Sequence, residues 1–203
     1  MTRPSLPLLL TAALAGFACM SAELTAVRLL APHFGDSAYV WTNVIGVILG
    51  ALAVGAVYGG RRAAGVAPLR HAGTLLVVAG AWLCFVPCLV GWLGPVLLPQ
   101  ELPLDAAMPA LVRGSLAATT IAFALPMLVL GAVSPLLVAG AVQHGAAVGR
   151  AAGNLGAAGT VGSLLGTFLA THWLVPGFGC RVAMGCAGLV LVCAGLVVRR
   201  SVA

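Results

Sequence analysis

The sequence contains no lysine and very few acidic residues. Its ten basic residues are all arginines, and charged residues make up only 7% of the 203. Soluble domains usually carry about 25% charged residues. This scarcity excludes a soluble enzyme, a disordered tail and a disulfide-stapled secreted domain. No basic run is longer than a pair, so the positive net charge does not indicate a nucleic-acid partner.

The sequence also lacks the motifs of common catalytic sites. It has no Gly-x-Ser-x-Gly turn and no His-Glu-x-x-His, and no two acids lie together in an apolar segment. The glycines of residues 153–159 follow no strand pattern, so they do not form a dinucleotide-binding loop. The six cysteines form no disulfide framework, because five of them lie inside apolar stretches. We therefore expect no cofactor and no metal, and the sequence does not favour an enzyme.

Hydrophobic residues dominate what remains, at 62% of the chain with a mean hydropathy of +1.14. A membrane-spanning helix needs about 20 apolar residues. Six continuous stretches are long enough, so the sequence predicts one all-α transmembrane domain over residues 1–203. The apolar runs do not alternate with polar residues, which argues against lipid-facing strands. The six helices are predicted at about 5–30, 38–60, 72–98, 114–142, 152–175 and 179–198.

The arginines predict the orientation of these helices, because cytoplasmic loops are enriched in basic residues. With both termini in the cytoplasm, seven arginines lie inside and two or three outside. The inner set is Arg3, Arg61, Arg62, Arg70, Arg150, Arg199 and Arg200. Asp36, Glu101 and Asp105 then face outward, and Trp41, Trp92 and Trp173 fall near the outer boundary. We expect a multi-pass cell-membrane protein, in the inner membrane if the source is bacterial.

Glycines recur every fourth residue in two of the predicted helices. Small residues at this spacing share a helix face and let two backbones approach closely. Such faces predict either a static seam between helices or a surface along which a transporter's helices slide. The pairs are Gly46 and Gly50, Gly55 and Gly59, Gly149 and Gly153, and Gly162 and Gly166.

Glu23 is the acid that lies deepest in a predicted span, about seven residues before the helix end. An ionised carboxylate at that depth costs several kcal/mol, so it must be protonated, paired or next to a wet cavity. Arg28 follows five residues later and lies on a different helix face. Asn43 and Asn154, on the glycine-rich helices, complete the candidate polar site. Glu23 is either a substrate or proton site or a structural hydrogen-bonding group.

Several motifs resemble the transmembrane part of membrane-bound spermidine synthase-like proteins, described as a major-facilitator-like domain fused to an aminopropyltransferase. The first half of the resemblance comprises ELTAVRLLAPHFG at 23–35, YVW at 39–41 and GALAVGAVYGGRR at 50–62. The second half comprises GAVSPLL at 131–137, GRAAGNLGAAGTVGSLLG at 149–166 and the segment that continues to Gly179. Their order and spacing agree over most of the chain, apart from the third helix, the 99–113 loop and the last helix.

The resemblance implies a membrane module and not the enzyme, because no soluble Rossmann-like domain follows the last helix of this sequence. We therefore expect a non-catalytic integral membrane module that works with a separate soluble aminopropyltransferase-like partner. The alternative is a small transporter of a polar or cationic metabolite that acts as a homodimer. Lipid is the expected environment in both cases.

Overall fold

The computed structural model describes residues 6–65, 67–98 and 104–200, and nearly all of them are helical. The prediction of an all-helical fold is confirmed for these residues. A π-helical segment, Ala170–Leu174, joins the last two helices. The α-helices are α1 (Leu6–Phe34), α2 (Ala38–Arg62), α3 (Pro68–Leu97), α4 (Leu104–Gln143), α5 (Val148–Leu169) and α6 (Val175–Arg200).

The first helix is longer than the predicted span, which ended at residue 30. Pro32 lies inside α1 and does not end it. Proline fixes φ near the helical value, so the helix can continue through it. The helix ends where Gly35 adopts a φ of +78°, a conformation that L-residues with a side chain rarely adopt. Ser37 then caps α2, accepting a hydrogen bond from the Val40 backbone N–H.

Two further helices begin earlier than predicted. Helix α3 starts at Pro68 rather than residue 72, because proline suits a first helical position where no N–H is needed. Helix α4 starts at Leu104 rather than residue 114, so part of the predicted outer loop is helical. The predictions for Arg3, Glu101 and the break at Pro99 lie outside the described residues.

The predicted break at Pro176 and Gly177 is also displaced. Both residues are helical, and the only non-helical backbone within α6 is at Gly179, with φ 81° and ψ 165°. Glycine populates this region without the steric penalty of a Cβ. The chain therefore turns three residues later than the proline predicted.

Close contacts between helices give their relative directions. Helix α5 runs parallel to α1, with Gly162 against Ala13 and Gly166 against Phe17. Helix α4 runs parallel to α2, with Gly55 against Leu128 and Gly59 against Ala132. Helix α3 runs antiparallel to α6, with Gly73 beside Gly195 and Gly80 beside Gly188. The helices therefore form two closely packed parallel pairs, α1/α5 and α2/α4, beside an antiparallel pair, α3/α6.

These directions give the bundle two chemically different ends. We call one the basic end; it holds the start of α1 and the residues Arg61, Arg62, Arg70, Arg150, Arg199 and Arg200. We call the other the Trp end; it holds the end of α1 and the residues Trp41, Trp92 and Trp173. At the Trp end, the Trp41 indole donates a hydrogen bond of 2.7 Å to Asp36.

Five helical segments of the described chain are long and apolar enough to cross a membrane. The last of them, Val148–Arg200, comprises α5, the π-helical segment and α6, and its backbone turns at Gly179. Large apolar side chains such as Trp92, Trp173 and Phe178 are more than 60% exposed, as expected where lipid replaces water. The fold is that of a helical, multi-pass membrane protein.

Only some of the predicted glycine faces pack within the chain. A Cβ on Gly55, Gly59, Gly162 or Gly166 would collide with the backbone of the neighbouring helix. At Gly46, Gly50, Gly149 and Gly153 a Cβ would meet no atom within 4 Å. The close seams are therefore α1/α5 and α2/α4, formed by the second glycine pair of each helix.

Candidate functional site

A partly open cavity of about 370 Å³, which we call the central cavity, lies between the two parallel helix pairs. Its walls come from α1, α2, α4 and α5, and most of them are apolar. The polar groups in the wall are Cys19 on α1, Ser134 on α4, and Thr160 and Ser163 on α5. A volume of this size falls within the range of small-molecule sites, about 300–1,000 Å³.

The cavity exists because small residues face each other between two tightly packed pairs. Within each pair, glycines bring the backbones into contact. Between the pairs, Ala12 and Gly16 of α1 and Gly156 and Gly159 of α5 contribute almost no side-chain volume to the wall. The gap is left unfilled because these residues cannot reach across to α4.

A second space, which we call the vestibule, adjoins the central cavity towards the basic end. Its volume is about 470 Å³, and its lining includes Ala63, Val142, Gln143 and Val148. These residues lie at or next to the basic-end termini of α2, α4 and α5. Ser134 on α4 belongs to the lining of both spaces, and the vestibule is the more open of the two.

Glu23 lies one helical turn beyond the α1 residues that line the central cavity and is not itself one of the lining residues. It continues the helix face of Gly16, Cys19 and Met20, all of which line the cavity. Helical side chains lean towards the N-terminus, so the carboxylate extends back over the turn that carries Cys19.

The structure places Glu23 deeper than the sequence predicted. Because α1 continues to Phe34, eleven residues separate Glu23 from the helix end, or about 16 Å at 1.5 Å per residue. Within the described residues, its Oε2 atom is buried and has no hydrogen-bond partner. A buried carboxylate oxygen without a partner carries an uncompensated desolvation cost.

The other predicted site residues do not join Glu23. Asn43 lies near the Trp end and bridges two helices, donating to the Val112 carbonyl at 2.9 Å and to the Ser115 hydroxyl at 2.8 Å. Arg28 is exposed near the Trp end, within electrostatic range of Cys180. Asn154 is exposed near the start of α5, about 25 Å from Glu23 along the bundle axis. None of the four predicted site residues is among the residues that line the central cavity.

The sequence offers Ser163 as an uncharged partner for Glu23 on a glycine-rich helix, but it does not single out Ser134 or Thr160 as site residues. Thr160 donates to the Gly156 carbonyl at 3.0 Å, and Ser163 Oγ lies against Gly16, where a Cβ would be 2.9 Å away. Single serines and threonines in apolar helices carry no distinguishing pattern. The signal that could have found them is their spacing with Gly156 and Gly159, which puts them on one helix face.

The fold defines a class, a helical multi-pass membrane protein, and its two parallel helix pairs border a partly open cavity. No protein-family model, curated protein or solved structure matches this chain. The resemblance to spermidine synthase-like membrane domains therefore rests on the quoted sequence motifs alone.

Proposed function

We propose that this protein binds a small polar or cationic solute within the membrane and carries it across. The observation that supports this function best is the central cavity, which has the hydroxyl groups of Ser134, Thr160 and Ser163 in its wall. A protein that only anchored a partner would have no need of such a cavity. The apolar lining and the few polar groups are typical of small-molecule sites.

We further propose that the chain crosses the membrane six times, with both termini in the cytoplasm. The turn at Gly179 and the antiparallel contacts of α3 with α6 support counting α5 and α6 as separate spans. The six arginines at the basic end support a cytoplasmic position for that end. The cell membrane is the proposed location on the same grounds.

This topology is tested by labelling single cysteines with a reagent that cannot cross the membrane. In a cysteine-free background, positions within 99–112 should react from outside the cell, and positions within 63–70 should not. Permeabilised cells provide the control, because both sets should react there. External labelling of the 63–70 segment would contradict the proposed orientation.

A second function is supported by the sequence motifs and by the basic end. The resemblance implies a membrane module that works with a soluble aminopropyltransferase-like protein. Arg61, Arg150 and Arg199 lie on one end of the bundle, where an acidic face of such a partner could dock. On this reading the cavity would be a conduit that serves the partner.

Purification from native membranes distinguishes the two functions. For the transporter, we expect the protein to purify alone or as a homo-oligomer and to support solute uptake after reconstitution. A soluble methyltransferase-fold protein recovered in equal amount would favour the partner module instead. Mass spectrometry of the purified material identifies the proteins that copurify and so distinguishes the two outcomes. An unrelated membrane protein with the same tag is the control for proteins that copurify non-specifically.

A further inference from the structure

The basic end of the bundle carries positive charge that the described residues do not balance. Its six arginines are all exposed. The acids lie elsewhere: Glu23 is in the interior of α1, and both Asp36 and the first turn of α4, which carries Asp105, are at the Trp end. Within the part of the chain that the structure describes, no acidic residue lies at the basic end. Anions from outside the chain are therefore attracted to this end.

Two of these arginines, Arg70 of α3 and Arg199 of α6, are brought together by the close packing of their helices. Gly73 has no side chain, so the stem of Arg199 lies directly on α3. Its Cγ is 2.6 Å from the point that a Cβ of Gly73 would occupy. Arg70 precedes Gly73 by three residues, so it is a neighbour on the same helix face, with about 5–6 Å between Cβ positions. Both guanidinium groups can therefore reach one ligand.

The depth of this pair matches the boundary of a membrane. Arg70 is the third residue of α3 and Arg199 is the last but one of α6, so both lie within one turn of a helix end. Arginines at such positions lay their apolar stems along the protein and place their charges at the polar interface. The pair therefore lies at the level of lipid headgroups.

Apolar side chains continue the same faces towards the middle of the membrane. On α3, Val77 is one turn beyond Gly73, and its side chain packs over Gly195 of α6. On α6, Leu196 lies three residues before Arg199 and is 43% exposed. The seam between α3 and α6 thus has two arginines at its end and an apolar strip next to them.

This combination identifies the class of ligand. The planar guanidinium group donates paired hydrogen bonds to phosphate oxygens and is only weakly hydrated. Basic sites between transmembrane helices are known to bind anionic lipid headgroups. A free anion would satisfy the arginines but not the apolar strip, whereas an anionic phospholipid has a phosphate and acyl chains in the same arrangement.

We propose that the basic end of the α3/α6 seam binds the headgroup of an anionic phospholipid. Arg70 and Arg199 hold its phosphate, and Val77 and Leu196 contact its acyl chains. This site lies outside the central cavity and does not depend on the proposed transport function. The bound lipid bridges α3 and α6, so it stabilises the packing of these two helices.

The test compares two lipids that differ only in headgroup charge. The full-length protein in a neutral detergent receives either phosphatidylglycerol or phosphatidylcholine with the same acyl chains. We expect phosphatidylglycerol to raise the midpoint of thermal unfolding by about 3–6 °C more than phosphatidylcholine, at about ten times its Kd. Native mass spectrometry of the parent protein should show the anionic lipid retained in preference to the neutral one.

Paired variants attribute this preference to the seam. Arg70→Gln with Arg199→Gln should abolish the difference between the two lipids. The control is Arg61→Gln with Arg150→Gln, which removes the same charge from exposed positions at the same end of the bundle and should keep the difference.

Three results would overturn the lipid site. The first is a parent protein that shows no preference for phosphatidylglycerol in either measurement. The second is an equal loss of preference in both paired variants, because diffuse attraction to the basic end would then explain the binding. The third is an equal stabilisation by inorganic phosphate at the same concentration, which would assign the two arginines to a soluble anion.

Discussion

We expect the double replacement of Gly162 and Gly166 by leucine to destabilise the protein more than the same replacement elsewhere in α5. A Cβ at Gly162 would fall on the carbonyl of Ala13, and one at Gly166 on that of Phe17. Backbone atoms cannot move aside as a flexible side chain can, so α1 and α5 must separate. Each overpacked position costs about 1–3 kcal/mol. We expect the midpoint of thermal unfolding in detergent to fall by about 5–20 °C.

The same double change thirteen residues earlier in α5, about three and a half turns, provides a matched control. Gly149 and Gly153 have the same spacing on the same helix, yet a Cβ at either meets nothing within 4 Å. Leucine is a better helix former than glycine by about 1 kcal/mol, so this variant should be at least as stable as the parent. Equal losses in both variants would contradict the α1/α5 seam.

These two glycine pairs show what the sequence could and could not predict. Hydropathy predicted the helices, because lipid imposes long apolar runs on any spanning segment. Spacing predicted that small residues would share a face, but Gly149 and Gly153 have the same spacing as Gly162 and Gly166. Which pair packs depends on where α1 crosses α5, and that crossing is a tertiary property.

Helix ends were the weakest part of the prediction, and proline is the physical reason. A proline in a sequence predicts a break, yet Pro32 and Pro176 lie within helices and Pro68 begins one. The turns fall instead at Gly35 and Gly179, whose positive φ requires glycine. The depth of Glu23 changed as a consequence, since it was measured from the wrong end of α1.

The sequence could predict the acid of the candidate site, but it could not predict the cavity. Glu23 was selected because an acid within an apolar run is costly wherever it points. Ser134 and Ser163, which line the central cavity, come from helices more than 100 residues further along the chain than Glu23. Only the assembled bundle brings these two hydroxyls to one cavity. Asn43 was selected on the same reasoning as Glu23 but bonds to α4, because a polar side chain in lipid also serves helix packing.

Removing the charge of Glu23 should make the protein more stable, not less. Its Oε2 atom is buried without a partner among the described residues, so neither variant strands a partner of that atom; Glu23→Gln removes the charge but keeps a polar amide, and Glu23→Leu removes the polar group altogether. Relief of an unpartnered buried group is worth about 1–3 kcal/mol, and more for a charged group. We expect thermal midpoints in detergent to rise in the order parent, Glu23→Gln, Glu23→Leu.

Ser21→Ala is the matched control for this prediction, two residues away on the same helix. The Ser21 hydroxyl donates to the Gly166 carbonyl at 3.2 Å across the α1/α5 seam, so its loss should lower stability by about 0.5–1.5 kcal/mol. The two positions should therefore respond with opposite signs. A gain in stability in both Glu23 variants would identify an acid that is retained at the expense of folding. A clear loss of stability in Glu23→Gln would instead make the carboxylate a structural group, and the case for Glu23 as a binding site would fail.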